Sequence, residues 1–386
     1  MLMRAQSSIP SQVALQVPGM ALARPMGDAG AFWIRAWLMV LALMVYAMIL
    51  IGGATRLTDS GLSITEWAPI TGALPPLSEA AWLSELEKYR ETAEYQYQNR
   101  GMSMAEFQYI YWWEWGHRLF GRLIGLVALA GFAVFAFRRW LGQGWGWRLA
   151  ALITLGGLQG FVGWWMVASG IGETTRIDVA PYRLMTHFTL ALVIIGVIAW
   201  FWMDLGRRAR DAVPDIARWS AVVLAIGIFL QMASGALVAG LDAGRSYTDW
   251  PLMAGEAFPR YYIDPALGAR SLFEGREATQ FNHRTGAYLL WAGALGAAWF
   301  FRKTAAGRPF VWVAGLVTMQ AIWGILTLVN AAPLDLALVH QGLGVLVFLA
   351  GVRLAWRVSY SAEAAGTPMR STPSGATRGV VSTNTA

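Results

Sequence analysis

The sequence contains no cysteine. Disulfides, thiolate nucleophiles and cysteine-held iron–sulfur clusters are thereby excluded. Any bound metal must be held by His, Met, Tyr or carboxylate. Charge is also scarce. Asp, Glu, Lys and Arg make up 14% of the chain, against about 25% in a soluble domain. Histidine is scarcer still, with 4 in 386 residues. What is abundant is apolar: 56% of residues are hydrophobic, 13% are aromatic, and 21 are Trp. Several apolar runs reach the roughly 20 residues that a bilayer-spanning helix needs. The pattern predicts an all-α integral membrane protein. In such a chain the net charge of +7 calls for no nucleic-acid partner, because basic residues collect in cytoplasmic loops.

Hydropathy predicts eight transmembrane helices, at 33–53, 106–137, 147–169, 183–203, 218–240, 281–301, 309–330 and 336–357. Ser103 and Glu106 in "SMAE" fit a capping box at the start of the second. The stretch "LSEAAWLSELEKYRETAEYQ" predicts a polar helix in the first long loop. The loops after the second, fourth and sixth spans carry Arg138, Arg139 and Arg148; Arg207, Arg208, Arg210 and Arg218; and Arg302, Lys303 and Arg308. The loops after the third and seventh carry only Arg176 and Arg183. By the positive-inside rule both termini face the cytoplasm, and the long loops after the first and fifth spans face outside. Residues 1–32 are expected to form a basic cytoplasmic tail, and 359–386 a disordered one. A bacterial inner membrane is the expected location. A mitochondrial inner membrane is the alternative, since the Arg-bearing first residues also suit a presequence.

The chain repeats itself. "DSGLSITEW" after the first span matches "DAGRSYTDW" after the fifth. Asp59, Gly61, Ser63, Thr65 and Trp67 recur 183 positions later, as Asp242, Gly244, Ser246, Thr248 and Trp250. Gln159 and Gly163 in the third span recur at Gln320 and Gly324 in the seventh. Two pseudo-repeated four-helix bundles are predicted, over 33–205 and 206–358. Four helices are an even number, so the repeat is parallel rather than inverted.

The four histidines are His117, His187, His283 and His340, one on each even-numbered span and each near its outer end. Two imidazoles facing each other across a four-helix bundle make a natural axial pair for heme iron. Zinc or copper suits them less, because two His give too few ligands. The plain alternative is four core histidines bonded to neighbouring helices. Arg118 and Arg284 directly follow the first His of each pair. They are candidate partners of heme propionates, or cations that snorkel to the interface.

The halves differ at one position. Glu114 lies three residues before His117, on the same helix face. Its counterpart, 166 positions on, is Gln280. If one heme reacts and the other assists, this asymmetry puts the reactive one in the first half. Alternatively, Glu114 only pairs with Arg118 or Arg122.

The segments "GGATRLTDSGLSITEWAPITGALPPL" (52–77), "EFQYIYWWEWGHRLFGRLIG" (106–125), "RLMTHFTLA" (183–191), "FNHRTGAY" (281–288) and "HQGLG" (340–344) resemble the heme A synthase family, in its cysteine-free proteobacterial and mitochondrial branch. The resemblance covers residues 33 to 357. It implies a membrane oxidoreductase that converts heme O to heme A for cytochrome c oxidase. One ring methyl is hydroxylated twice, and the resulting diol loses water to leave a formyl group. The resemblance places heme O, as substrate, between His117 and His187. It places an ancillary heme b on His283 and His340. Glu114 matches the family's acidic residue in the "E-x-x-H" motif and implies a role in proton movement. Some family members carry a cysteine pair in the outer loops; no cysteine-dependent step is carried over here. The expected partners are heme O, membrane lipid, a heme O synthase, an electron donor and oxidase assembly factors. A homo-oligomer is allowed, and nucleic acid is not expected.

Two other classes use parts of this pattern. A di-heme b-type electron-transfer cytochrome would need the four histidines but not Glu114. A transporter would explain the duplication but not the paired histidines.

Overall fold

The computed structural model describes residues 26–172, 174–206, 213–304 and 307–359. The expected C-terminal tail from 360 on, and most of the expected N-terminal one, lie outside these. Among the described residues the long elements are all helices: α1 (Asp28–Leu57), α4 (Met104–Phe137), α5 (Trp145–Val167), α6 (Pro181–Asp204), α7 (Asp215–Gly240), α9 (Arg276–Phe301), α10 (Gly307–Val329) and α11 (Leu334–Val358). Shorter helices α2 (Glu79–Arg90) and α3 (Ala93–Tyr97) lie in the first long loop, and α8 (Ser271–Glu274) in the second.

Seven of the long helices are long and apolar enough to cross a membrane. The exception is α9. Its 26 residues suffice in length, but it opens with the polar stretch "REATQFNHR". Several helices run past their expected bounds, because hydropathy reads only the apolar part. Ser103 and Glu106 do form a capping box at the start of α4. The expected loop helix is split in two. Thr92 accepts from the Tyr95 amide and starts α3 one residue after α2's C-cap at Glu91.

The packing order follows from which helices touch. α1 packs on α4 and α6, and α5 packs on α4 and α6, so these four close a ring. α7, α9, α10 and α11 close a second ring in the same way. Contacts of α6 with α7 and α11, and of α1 with α11, join the two. The shared core contains Leu38, Leu41, Ile195, Ile198, Ala221, Ile228, Val345 and Phe348. Small residues let helices approach here, as is common between helices in lipid. Gly196 faces the Phe348 ring, Gly351 faces Ile228, and Gly131 faces the Trp37 indole.

The outer loops are tied to the rings by polar contacts. Arg56, one residue from the end of α1, pairs with Asp59 at 2.8 Å, Asp178 at 3.3 Å and Asp242 at 2.7 Å. One guanidinium thus links three loops. Burial pushes the Asp59 and Asp178 carboxyls upward, and Arg56 opposes the shift. Asp59 and Asp242 also share a left-handed backbone, with φ of 48° and 51°.

Candidate functional site

His117 lies on α4 and His187 on α6, which sit diagonally in the first ring. His283 on α9 and His340 on α11 sit diagonally in the second. Each imidazole is backed by a glycine from a neighbouring helix. A Cβ added at Gly52 would lie 3.0 Å from Cε1 of His117. The corresponding distances are 2.8 Å from Gly163 to His187, 3.1 Å from Gly235 to His283, and 2.8 Å from Gly324 to His340. Each of these glycines lies within the last two turns of its helix. All four histidines therefore lie at one end of the rings, a turn or two below the outer loops, about 6–8 Å at 1.5 Å per residue.

Three histidines are also held by an amide. Gln159 Nε2 lies 3.2 Å from Nδ1 of His187 and donates to the His187 carbonyl at 3.0 Å. Gln231 Nε2 lies 3.0 Å from Nδ1 of His283 and donates to its carbonyl at 2.8 Å. Gln320 does the same for His340, at 3.1 and 2.9 Å. His117 has no such partner; its Nδ1 is buried without a hydrogen bond. Sequence comparison between the halves finds Gln159 and Gln320 but misses Gln231. The available signal was the shared spacing Q-x-x-x-G, in "QGFVG", "QMASG" and "QAIWG".

Glu114 is 3% exposed and fully engaged. One carboxylate oxygen accepts from Ser63 Oγ at 2.7 Å and from the Ile64 amide at 2.8 Å. The other accepts from Arg118 Nε at 3.0 Å and Nη2 at 2.6 Å. Arg118 also donates to the Ile64 and Glu66 carbonyls. The pair thus clamps the repeated "DSGLSI" loop onto α4. In the second ring, Arg284 donates to the carbonyls of Tyr247, Asp249 and Leu252. Gln280 donates to the Tyr247 carbonyl. Tyr247 stands 183 positions after Ile64, so both rings grip the same loop position: each arginine donates to its carbonyl, while Glu114 accepts from its amide and Gln280 donates to its carbonyl. Arg122 donates to the Ala68 and Pro69 carbonyls; it does not pair with Glu114.

These residues fit a heme in each ring. The donor set is a pair of imidazoles on diagonal helices, with a glycine against each ring. Two of the histidine-bearing helices also carry polar atoms buried without a hydrogen-bond partner: Trp115 Nε1 and Arg122 Nη1 on α4, and Gln280 Oε1 and Arg284 Nε on α9. Two of these are guanidinium nitrogens, suited to a carboxylate such as a propionate. Among the described residues no cluster of three or more His, Asp or Glu could hold a bare metal ion.

The family described as cytochrome oxidase assembly protein, COX15-CtaA, matches residues 35–352. Similar curated proteins include "Heme A synthase" of Hyphomonas neptunium, 70% identical over 327 residues, covering 85% of this chain and 93% of that protein. "Heme A synthase" of Dinoroseobacter shibae is 49% identical over 349 residues, with 86% and 89% covered. That of Maricaulis maris is 46% identical over 330 residues, with 84% and 95% covered.

Proposed function

The chain belongs to the COX15-CtaA family of cytochrome oxidase assembly proteins, and from that premise we propose that it converts heme O to heme A. It is an oxidoreductase that takes a ring methyl to a formyl group in two successive hydroxylations. The observation that carries the site assignment is the matched setting of four histidines on diagonal helices, each against a glycine. His117 and His187 hold heme O as substrate; His283 and His340 hold an ancillary heme b. Iron porphyrin supplies the oxygen and electron chemistry that side chains lack.

The chain's own groups bind, orient and move protons. Arg122 and Arg284 each keep a buried nitrogen free for a propionate, while Arg118 is more heavily occupied with the loop and Glu114. Arg118 and Arg284 therefore serve as propionate partners only alongside their hold on the loops. Glu114 is the acidic residue nearest His117 in the sequence, and it is held next to the outer loop. It can pass a proton there when its bond to Ser63 opens. The chain crosses a bacterial inner membrane eight times, α9 included, with both termini cytoplasmic. The charge of the even-numbered loops supports that orientation. The two rings derive from a duplication, supported by the 183-position match of the outer loops. An electron donor, a heme O synthase and oxidase assembly factors are its partners.

Glu114→Gln tests the active half. An amide retains only one acceptor oxygen, so this variant loosens the loop as well as removing the charge. Ser63→Ala loosens the same loop and leaves the carboxylate. Heme O, hydroxylated intermediate and heme A are quantified in cells expressing each. Glu114→Gln should accumulate heme O or intermediate with little heme A, whereas Ser63→Ala should keep most heme A. Equal losses in both would make Glu114 a loop anchor only.

A further inference from the structure

Three of the four helices that abut the histidines present the same element to them. On α5, α7 and α10 it reads Gln159–Gly163, Gln231–Gly235 and Gln320–Gly324, with the glycine behind the ring and the amide at Nδ1. On α1 the glycine is kept as Gly52, but four residues earlier stands Met48. Met48 occupies the place of a glutamine in space as well. Its Cε would lie 3.2 Å from a Cβ at Gly121, one turn past His117; Gln231 Oε1 would lie 2.5 Å from a Cβ at Gly286, one turn past His283. A thioether has no N–H to donate and is at best a weak acceptor.

An imidazole that binds metal through one nitrogen is normally oriented by a hydrogen bond at the other. The glutamines can supply it. Oε1 of Gln159 and Gln320 is buried without a partner. A turn of the amide would exchange the bond to the main-chain carbonyl for one from Nδ1–H. That leaves the ring's proton on Nδ1 and frees Nε2. His117 has no such option, since its Nδ1 has no partner at all.

We propose that Gln159, Gln231 and Gln320 are positioning residues for His187, His283 and His340, and that Met48 leaves His117 as the one exchangeable ligand. This rests on the reading that the four histidines hold two hemes. The arrangement suits a division of labour. The second ring, with both ligands held, keeps its heme six-coordinate. The first ring, with one ligand loosely held, can open a coordination position or release its heme.

The test is carbon monoxide binding to the dithionite-reduced, full-length protein, purified from a host that makes heme O. Carbon monoxide reaches a bis-histidine iron only when a ligand leaves. The wild type should bind it at one heme of two. Met48→Gln should slow that binding by about tenfold, the usual scale for a ligand's supporting hydrogen bond. Met48→Leu should leave it unchanged. Gln231→Met should add a second carbon monoxide-binding fraction, and it decides the matter if Met48→Gln fails to fold. A Met48→Gln protein that stays low-spin and binds carbon monoxide at the wild-type rate would overturn the proposal. So would Gln231→Met with no added fraction. Failure of the underlying reading looks different: His117→Ala and His283→Ala would each leave the heme spectrum of the wild type intact.

Discussion

A methyl group at Gly163 or Gly324 would press on an imidazole 2.8 Å away, so the glycines and histidines form single units. That pairing was half visible in the sequence. The histidines stood out because there are only four, and Glu114 because its counterpart is an amide. The guanidinium contacts were not visible. Arg118 reaches carbonyls more than 50 positions away, and only the folded loop brings them near. If His283 and His340 hold heme b, changing either to Ala should abolish that heme's low-spin spectrum while the protein still accumulates; an intact spectrum in both would remove the assignment. Glu94 offers a separate residue-scale test. It is 2% exposed, accepts a hydrogen bond from Tyr89, and forms no salt bridge among the described residues. Burial, helped by the negative charge of Glu114, pushes its carboxyl up to about 8 from 4.5, although the Tyr89 bond opposes this. The folded state therefore holds more protons than the unfolded chain between those values, and stability falls as pH rises across them. Thermal unfolding should show a higher midpoint at pH 5 than at pH 8 from this group. Glu94→Gln should flatten that dependence and raise the midpoint at pH 8. A dependence as steep as in the wild type would show that Glu94 does not cause it.

Helices were the most legible elements, because an apolar run of bilayer length has few other uses. Their ends were less so. Hydropathy stops at the first polar turn, while α9 continues through "REATQFNHR" and places Gln280, His283 and Arg284 on one continuous helix. The expected polar helix in the first loop broke at Thr92, whose hydroxyl caps a new helix rather than continuing the old one. Loop elements depend on one residue that the repeat does not duplicate. Arg56 binds Asp59, Asp178 and Asp242, yet the position 183 residues on is Ala239. Arg56→Ala would leave three neighbouring carboxylates without their shared cation. The expected cost is about 1–3 kcal/mol, reduced by the partial exposure of the acids. Thermal unfolding in detergent should show the loss. An unchanged midpoint would mean that the loops are held by the clamps of Arg118 and Arg284 alone.

At the scale of the whole molecule, the sequence raised the expectation of two four-helix halves but carried nothing on how they would meet. Periodicity and repeats speak of each helix's apolar face, not of which neighbour covers it. The join uses α1, α6, α7 and α11 and includes a partly buried polar tie, from Gln341 Nε2 to the Ile49 carbonyl at 2.9 Å. Gln341 directly follows His340, and Ile49 directly follows Met48. The join therefore runs beside His340 in the second ring and beside Met48 in the first. This gives the rings a mechanical connection at the level of their sites. Such a pair of rings is proposed to perform oxidation rather than electron transfer alone. The most direct measurement is heme extraction from a host that makes heme O but no heme A, with and without expression of this chain. Heme A should appear only with the chain, and should disappear when His117 or His187 is changed to Ala. Heme O and heme b without heme A, from protein that is folded and holds both hemes, would contradict the proposal and leave a di-heme electron carrier.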